Sequence, residues 1–246
     1  MGRENTESLF RHAIRTNNLA TAGYFWPLVD QAGPEAKLVL PYINLLINNK
    51  AITAAAHVWK NYYPANTLLY NGNFSQPSVN SGFGWRIGKI KGVETEYSGN
   101  SDNYPGLHLH FSGSNNVHYS HTRQYIALSP EHSYRLSGRM RSRNLTTDQK
   151  PFLEVTGLYC SMQPVKTVMV PADQDWTPVS LAFTVPEQCQ GVQLRIRRNS
   201  SNNLDNLISG DLWLTDLSLE EMTSKASLIN VSELGVISGP FPNPEL

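Results

Sequence analysis

The side chains best placed to do chemistry in this 246-residue sequence are histidines and arginines that recur at every second position. In Leu107-His108-Leu109-His110-Phe111 the two-residue period of a strand turns the apolar residues to one side and puts His108 and His110 together on the other. The same alternation sets Leu136, Gly138 and Met140 against Arg135, Arg139 and Arg141, and Leu194 and Ile196 against Arg195 and Arg197. If the three strands share a sheet, they build a cationic groove. Guanidinium forks match carboxylate and sulfate, so the chemistry expected there is recognition of an acidic polysaccharide. The opposing expectation divides the arginines between two sheets and pairs them with Glu154, Asp148 or Glu187.

A pyranose ring shows apolar C–H patches inside a rim of hydroxyls, so a sugar site needs flat aromatic faces beside hydrogen-bonding side chains. Tyr97, Tyr104, Tyr119 and Tyr125 are the candidates, with Asn103, Asn115, Asn116 and Gln124 beside them. The polar stretches 98–105 and 112–116 read as loops, where binding residues commonly sit. The expected ligand set is Tyr97, Tyr104, His108, His110, Tyr119, Gln124, Tyr125, Arg139, Arg141 and Arg195. Trp85, Trp176 and Trp213 are assigned to the core, because apolar residues neighbour them in strand-like runs.

Metal and catalytic readings are weaker. His108 and His110 with His118 and His121 would supply imidazoles for a transition metal, but the glycine and glutamate spacing of a cupin is missing. The acids Glu94, Glu96, Asp102, Glu131, Glu154, Asp173, Asp175 and Asp211 are scattered, with no pair spaced as a glycosidase requires. There is no Gly-x-Ser-x-Gly elbow, Walker loop or dinucleotide turn. Cys160 and Cys189 fit no zinc pattern. Each adjoins a strand-like run, so they read either as one bridge, contributing roughly 3 kcal/mol by closing a loop of about 30 residues, or as two buried thiols.

The elements that must position these residues fall into two parts. Residues 3–63 have helical periodicity, with apolar stripes at Leu9, Phe10, Ala13 and Ile14, then Leu19, Ala22, Phe25 and Trp26. Thirty-three positions on, the apolar residues Tyr42, Ile43, Leu46, Ile47, Ile52, Ala55, Val58 and Trp59 repeat the pattern. That is a repeat of two helical hairpins, close to the length of a tetratricopeptide unit and short of the three or so units that usually stand alone. Such hairpins either continue a longer array or dock on the β-rich remainder of the chain. From Leu68 onward, alternating runs separated by Gly, Asn, Ser and Pro clusters predict strands at 68–74, 85–97, 106–112, 117–128, 132–143, 151–159, 164–170, 176–186, 191–199 and 211–220. Ten strands in this space argue a two-sheet sandwich. With 20 Lys+Arg against 20 Asp+Glu, no bulk field marks a nucleic-acid binder. No run of about 18 apolar residues marks a membrane span, and residues 1–20 do not read as a secretion signal.

Asn71-Gly72-Asn73-Phe74, Gly84-Trp85, Leu128-Ser129-Pro130 leading to Tyr134-Arg135-Leu136-Ser137, Trp176 with Phe183-Thr184-Val185-Pro186, and Leu212-Trp213-Leu214-Thr215-Asp216-Leu217 occur in that order. The series resembles the jelly-roll carbohydrate-binding modules of xylanases and glucanases, within the galactose-binding-like fold. With the helical repeats and Leu145-Thr146-Thr147-Asp148-Gln149, it resembles the C-terminal portion of bacterial tetratricopeptide-repeat proteins associated with exopolysaccharide production. The resemblance implies glycan binding without catalysis, an extracytoplasmic (periplasmic or secreted) location, and a structural calcium held by Asn71 or Asn73 and Asp216, with Glu94 beside them.

The expectation is therefore a mainly β protein: helical hairpins over 1–64, a jelly-roll β-sandwich over 66–222 and a tail over 223–246. Its partner is a polysaccharide, and the repeats dock a protein of a glycan assembly or export machine. The alternatives are a protein-interaction module without sugar binding and a metalloenzyme built on the histidines.

Overall fold

The 33-residue echo becomes two helical hairpins. Helices α1 (Arg3–Arg15) and α2 (Leu19–Gln31) form the first, α3 (Ala36–Asn48) and α4 (Ile52–Tyr62) the second, in a computed structural model that describes residues 3–65, 67–76, 78–97 and 106–222. Each hairpin turns at the same point of the repeat. Asn17 and Lys50 both take a left-handed backbone, with φ of 54° and 62°, which closes a helix end and lets the chain reverse. Asn49 Nδ2 donates to Asn17 Oδ1 at 3.1 Å, joining the two corners. Asn18 then caps α2 by accepting from the backbone N–H of Thr21.

The predicted stripes point inward along α3 and α4, where Tyr42, Ile43, Leu46, Ile47, Ile52, Ala55, Val58 and Trp59 are all buried. The first hairpin is looser: Phe10, Ala13 and Ala22 are buried, while Leu9 stays 40% exposed. The hairpins complete their core by docking on the sandwich. Phe83 and Leu158 are buried in the helical cluster, and Tyr70, Val79, Tyr125 and Ala127 pack against it. Asn44 of α3 pins the junction, donating to Ser81 Oγ at 2.7 Å and accepting from Gly82 N at 3.0 Å.

The sandwich comprises β1 (Arg86–Ile87), β2 (Val93–Tyr97), β3 (Leu107–Ser112), β4 (Thr122–Ala127), β5 (Ser133–Arg143), β6 (Phe152–Gly157), β7 (Val165–Lys166), β8 (Gln174–Thr184), β9 (Gly191–Arg197) and β10 (Ser209–Glu221). The first sheet has the order β1-β4-β9-β6-β7 and the second β2-β3-β10-β5-β8. Every pairing is antiparallel. This is the jelly-roll sandwich expected, with Leu107, Leu109, Phe111, Leu194, Ile196, Leu212 and Leu214 among the buried residues between the sheets.

Four strand expectations, over 68–74, 85–97, 117–128 and 164–170, are corrected, the last shrinking to β7. Residues 68–74 form turns, because Asn71 and Phe74 have φ of 51° and 54°. Gly72 lies so close to β10 that a Cβ there would sit 1.8 Å from Leu217 O, and its own carbonyl accepts from Leu217 N at 2.9 Å. The single strand expected over 85–97 is two, β1 and β2, which enter different sheets across the turn at Gly92. The strand expected over 117–128 shortens to β4.

Cys160 and Cys189 are bonded, with Cα atoms 5.4 Å apart. The bridge ties the chain leaving β6 to the chain entering β9, its neighbour in the first sheet. Among the described residues no helix is long and apolar enough to cross a membrane. The tail at 223–246 lies outside the described residues.

Candidate functional site

The three basic strands do not share a sheet. Strands β3 and β5 flank β10 in the second sheet, whereas β9 lies in the first, so Arg195 faces away from His108, His110, Arg139 and Arg141. The single groove expected from the sequence is thus divided between the two outer faces of the sandwich.

On the second sheet, the cross-strand row runs Glu96, His108, Trp213, Arg141, and the next runs Glu94, His110, Asp211, Arg143. His108 Nε2 and His110 Nδ1 each lie 2.8 Å from Asp211 Oδ1. The His108 ring stacks on Trp213 at 4.7 Å between centroids, and the Arg141 guanidinium lies 5.0 Å from the same ring, coming from the strand on the other side. Arg143 pairs with Asp175 at 2.5 Å. Arg139 lies 3.8 Å from Asp216 and over Trp176 at 5.7 Å. Both faces of Trp213 are therefore covered and the charges are balanced, which leaves no flat aromatic surface at Trp213 for a sugar.

The outer face of the first sheet is different. Its central row runs Arg86, Arg123, Arg195, Glu154, Lys166 across all five strands. The adjacent row is Tyr125, Gln193, Thr156. Tyr159 stands 6.5 Å from Tyr125, and Arg86 lies over the Tyr125 ring at 4.2 Å. Arg195 Nε donates to Glu154 Oε2, and Arg197 Nε lies 3.5 Å from the same oxygen. Burial, followed by the repulsion of Tyr125, raises the Tyr159 phenol above its ordinary pKa. The helical hairpins wall one end of this face through Tyr125 and Ala127. The other end opens on a cleft of about 440 Å³ lined by Phe152, Lys166, Val168, Met169 and Asn199 among others. The arrangement offers aromatic surface, amide and hydroxyl hydrogen bonders and a line of guanidinium groups along one open sheet.

Several sequence expectations are corrected. Tyr119 is fully buried and shares a 2.6 Å hydrogen bond with Thr122 Oγ1. Gln124 is also buried, donating to Tyr70 O at 2.8 Å, so neither can meet a ligand. Trp85 is core as expected, but Trp176 and Trp213 are half-buried on the outer face. Tyr97 is the last residue of β2, opposite Leu107, while Tyr104 and Asn103 lie outside the described residues. Asn116 serves the fold, accepting from Arg198 Nη1 and from Ser201 N, both at 2.9 Å. The histidines do not converge: His118 lies 3.2 Å from Arg197 on the first sheet, apart from His108 and His110. Among the described residues no group of three or more His, Cys, Asp or Glu side chains could hold a metal.

Asn71, Asn73 and Asp216 do line one cleft, of about 430 Å³, and Glu94 does not. Glu94 faces His110 on β2 instead. The three that meet fit calcium poorly. Asn71 Oδ1 accepts from Gln76 N and Asn73 Oδ1 from Ser75 N, and the carboxylate of Asp216 lies beside Arg139. Calcium takes six to eight hard oxygens, and here one carboxylate, facing a cation, is the only charged ligand of the set.

The residues that sequence reasoning missed are Arg86, Arg123, Tyr159 and Gln193. Strand alternation held the signal for Arg123, which is two positions from Tyr125 and so shares its face.

Fold and site together define a class: a two-sheet antiparallel sandwich on a helical base, with one polar, aromatic-edged outer face. No family model matches the chain, and no curated protein matches it in sequence. Among solved structures it is similar to one described as CBM4, at 15% identity and a TM-score of 0.43, over 63% of this chain and 99% of that one. It is similar to a family 16 carbohydrate-binding module at 16% identity and 0.42, over 63% and 100% of the two chains. It is also similar to TmCBM61, solved in complex with β-1,4-galactotriose, at 13% and 0.43, over 64% and 100%. What this chain binds is read from its own side chains.

Proposed function

We propose that this protein is a non-catalytic polysaccharide-binding protein, and that the glycan lies on the outer face of the first sheet. The observation that carries this is the placement of Tyr125 and Tyr159 beside Gln193, Thr156 and the arginine row on one open face. Aromatic rings pack on the apolar patches of a pyranose, while amide, hydroxyl and guanidinium groups meet its hydroxyl rim. Glu154, held by two arginines, positions those cations. The setting we favour is extracytoplasmic assembly or export of a bacterial exopolysaccharide. The Cys160–Cys189 bridge supports an oxidising compartment. A second, protein-docking role for the hairpins is supported by Tyr24 and Leu28, which stay 75% and 51% exposed on α2.

Affinity electrophoresis on a panel of neutral and acidic polysaccharides tests the reading. Retardation that Tyr125→Ala abolishes and Trp213→Ala leaves intact is the expected result. A blank panel for the folded wild-type protein would turn the assignment to protein docking alone.

A further inference from the structure

Among the described residues, the outer face of the first sheet holds more positive charge than its own acids neutralise. Arg86, Arg123 and Arg195 stand opposite one another on three adjacent strands, an arrangement in which like charges destabilise a sheet. Among the described residues Glu154 is the one acid in the outward-facing positions of these strands, and Arg195 and Arg197 already share its Oε2. Arg86 is engaged elsewhere, donating to Gly82 O at 2.7 Å and lying over Tyr125. Arg123 differs from both. Its Nε is buried and meets no hydrogen-bond acceptor among the described residues. Its charge also weighs on its neighbours: the pKa of His121 is lowered by burial first and then by Arg123, and that of Arg86 by burial, with Arg123 adding to the effect.

An arginine that stands between two others, with a buried Nε that meets no acceptor among the described residues, has the charge and the donors to take an anion. We propose that Arg123, between Arg86 and Arg195, binds an oxyanion carried by the glycan, either a uronate carboxylate or a sulfate ester. The proposal rests on the glycan-binding function and identifies what that face selects. Tyr125, two residues along the same strand and on the same face, stands about 7 Å away along the strand, a spacing that lets one sugar pack on the ring while its charged group reaches the guanidinium. The planar fork supplies paired N–H donors to two oxygens, a match that lysine cannot make.

Two polymer pairs test it: polygalacturonate against its methyl ester, and dextran sulfate against dextran. The wild type is expected to hold the acidic member of at least one pair more tightly, and the pair that discriminates tells carboxylate from sulfate. Arg123→Gln is expected to weaken that binding about tenfold or more, the loss of one charge-assisted contact, and to weaken retention on the neutral member of the pair by less, so that the preference for the acidic member is lost. Arg123→Lys, which keeps the charge and loses the fork, should fall between. In parallel, sodium sulfate, relative to sodium chloride of equal ionic strength, should raise the thermal midpoint of the wild type more than that of Arg123→Gln, the difference removing the general stabilisation by sulfate that any folded protein shows.

Equal retention of acidic and neutral members, unaffected by Arg123→Gln, overturns the oxyanion site and leaves the glycan reading standing. No retention on any glycan, with sulfate stabilising the wild type more than Arg123→Gln, overturns the glycan reading and supports the oxyanion site. Absence of both effects overturns both.

Discussion

Trp213 lies against His108 with planes 4° from parallel and centroids 4.7 Å apart, and Arg141 closes its other face. A tryptophan on the outside of a sandwich is an obvious candidate for a sugar platform, yet this one is one leaf in a stack whose neighbouring leaves are protein. Trp213→Ala should therefore lower stability by about 2 kcal/mol, through lost stacking and apolar burial, and leave glycan binding intact. Urea denaturation and affinity electrophoresis on the same variant check the two halves. A folded Trp213→Ala protein that no longer binds would move the site to the second sheet.

The sequence holds the reason that stack is hard to see. In Asp211-Leu212-Trp213-Leu214-Thr215 the strand period groups Trp213 with Asp211 and Thr215, on the face opposite Leu212 and Leu214. Apolar neighbours at adjacent positions place a residue outside, and those at two positions place it inside. In Thr122-Arg123-Gln124-Tyr125-Ile126 the same rule allows Gln124 or Tyr125 to be exposed, but not both. The buried set here is Thr122, Gln124 and Ile126, two of them polar, so hydropathy alone gives no direction. The helical repeat was legible because a 33-residue offset needs no partner to be seen. The assignment of strands to sheets was not, since β9 and β5 carry the same alternation of arginine and apolar residues and only long-range pairing separates them.

Arg198 holds the loops at one end of the sandwich together through neutral acceptors. It is fully buried and donates to Gln149 O, Asn116 Oδ1, Val117 O, Thr147 Oγ1 and Asn206 O. Arg198→Met would take the arginine's donors from Val117 O, Thr147 Oγ1 and Asn206 O, while Asn116 Oδ1 keeps Ser201 N and Gln149 O keeps Thr147 Oγ1; each acceptor left unsatisfied away from water costs about 1–3 kcal/mol. A total loss of roughly 4 kcal/mol or more is expected by denaturant titration. Arg198→Lys should recover only part of it, because an ammonium cannot span acceptors on separate segments of the chain. A loss below about 1 kcal/mol would mean that the loops do not depend on this residue.

Removal of divalent cations should change neither stability nor glycan retention. In the cleft of Asn71, Asn73 and Asp216 the two amide oxygens already accept from Gln76 N and Ser75 N, and Asp216 has Arg139 for a neighbour. Thermal melts in EDTA and in millimolar calcium are expected to coincide. A midpoint several degrees higher in calcium, abolished by Asp216→Asn, would show that backbone carbonyls complete an ion shell that the side chains alone do not make.

His121 gives the fold a pH dependence whose sign is fixed by its surroundings. Partial burial comes first, then Arg123 and His118, in lowering its pKa below the ordinary value of 6.5. The unfolded chain therefore takes up a proton at higher pH than the folded one does. Where the unfolded state binds more protons, stability rises with pH, so this contribution is fully present above pH 6.5 and is lost as pH falls through the folded-state value. His121→Asn should flatten the fall in stability below pH 6.5 relative to wild type, measured as urea midpoints across that range. Arg123→Gln should flatten it in the same direction by removing one source of the shift. An unchanged slope in both variants would show that His121 titrates as a solvated imidazole, with Arg123 too well screened to affect it.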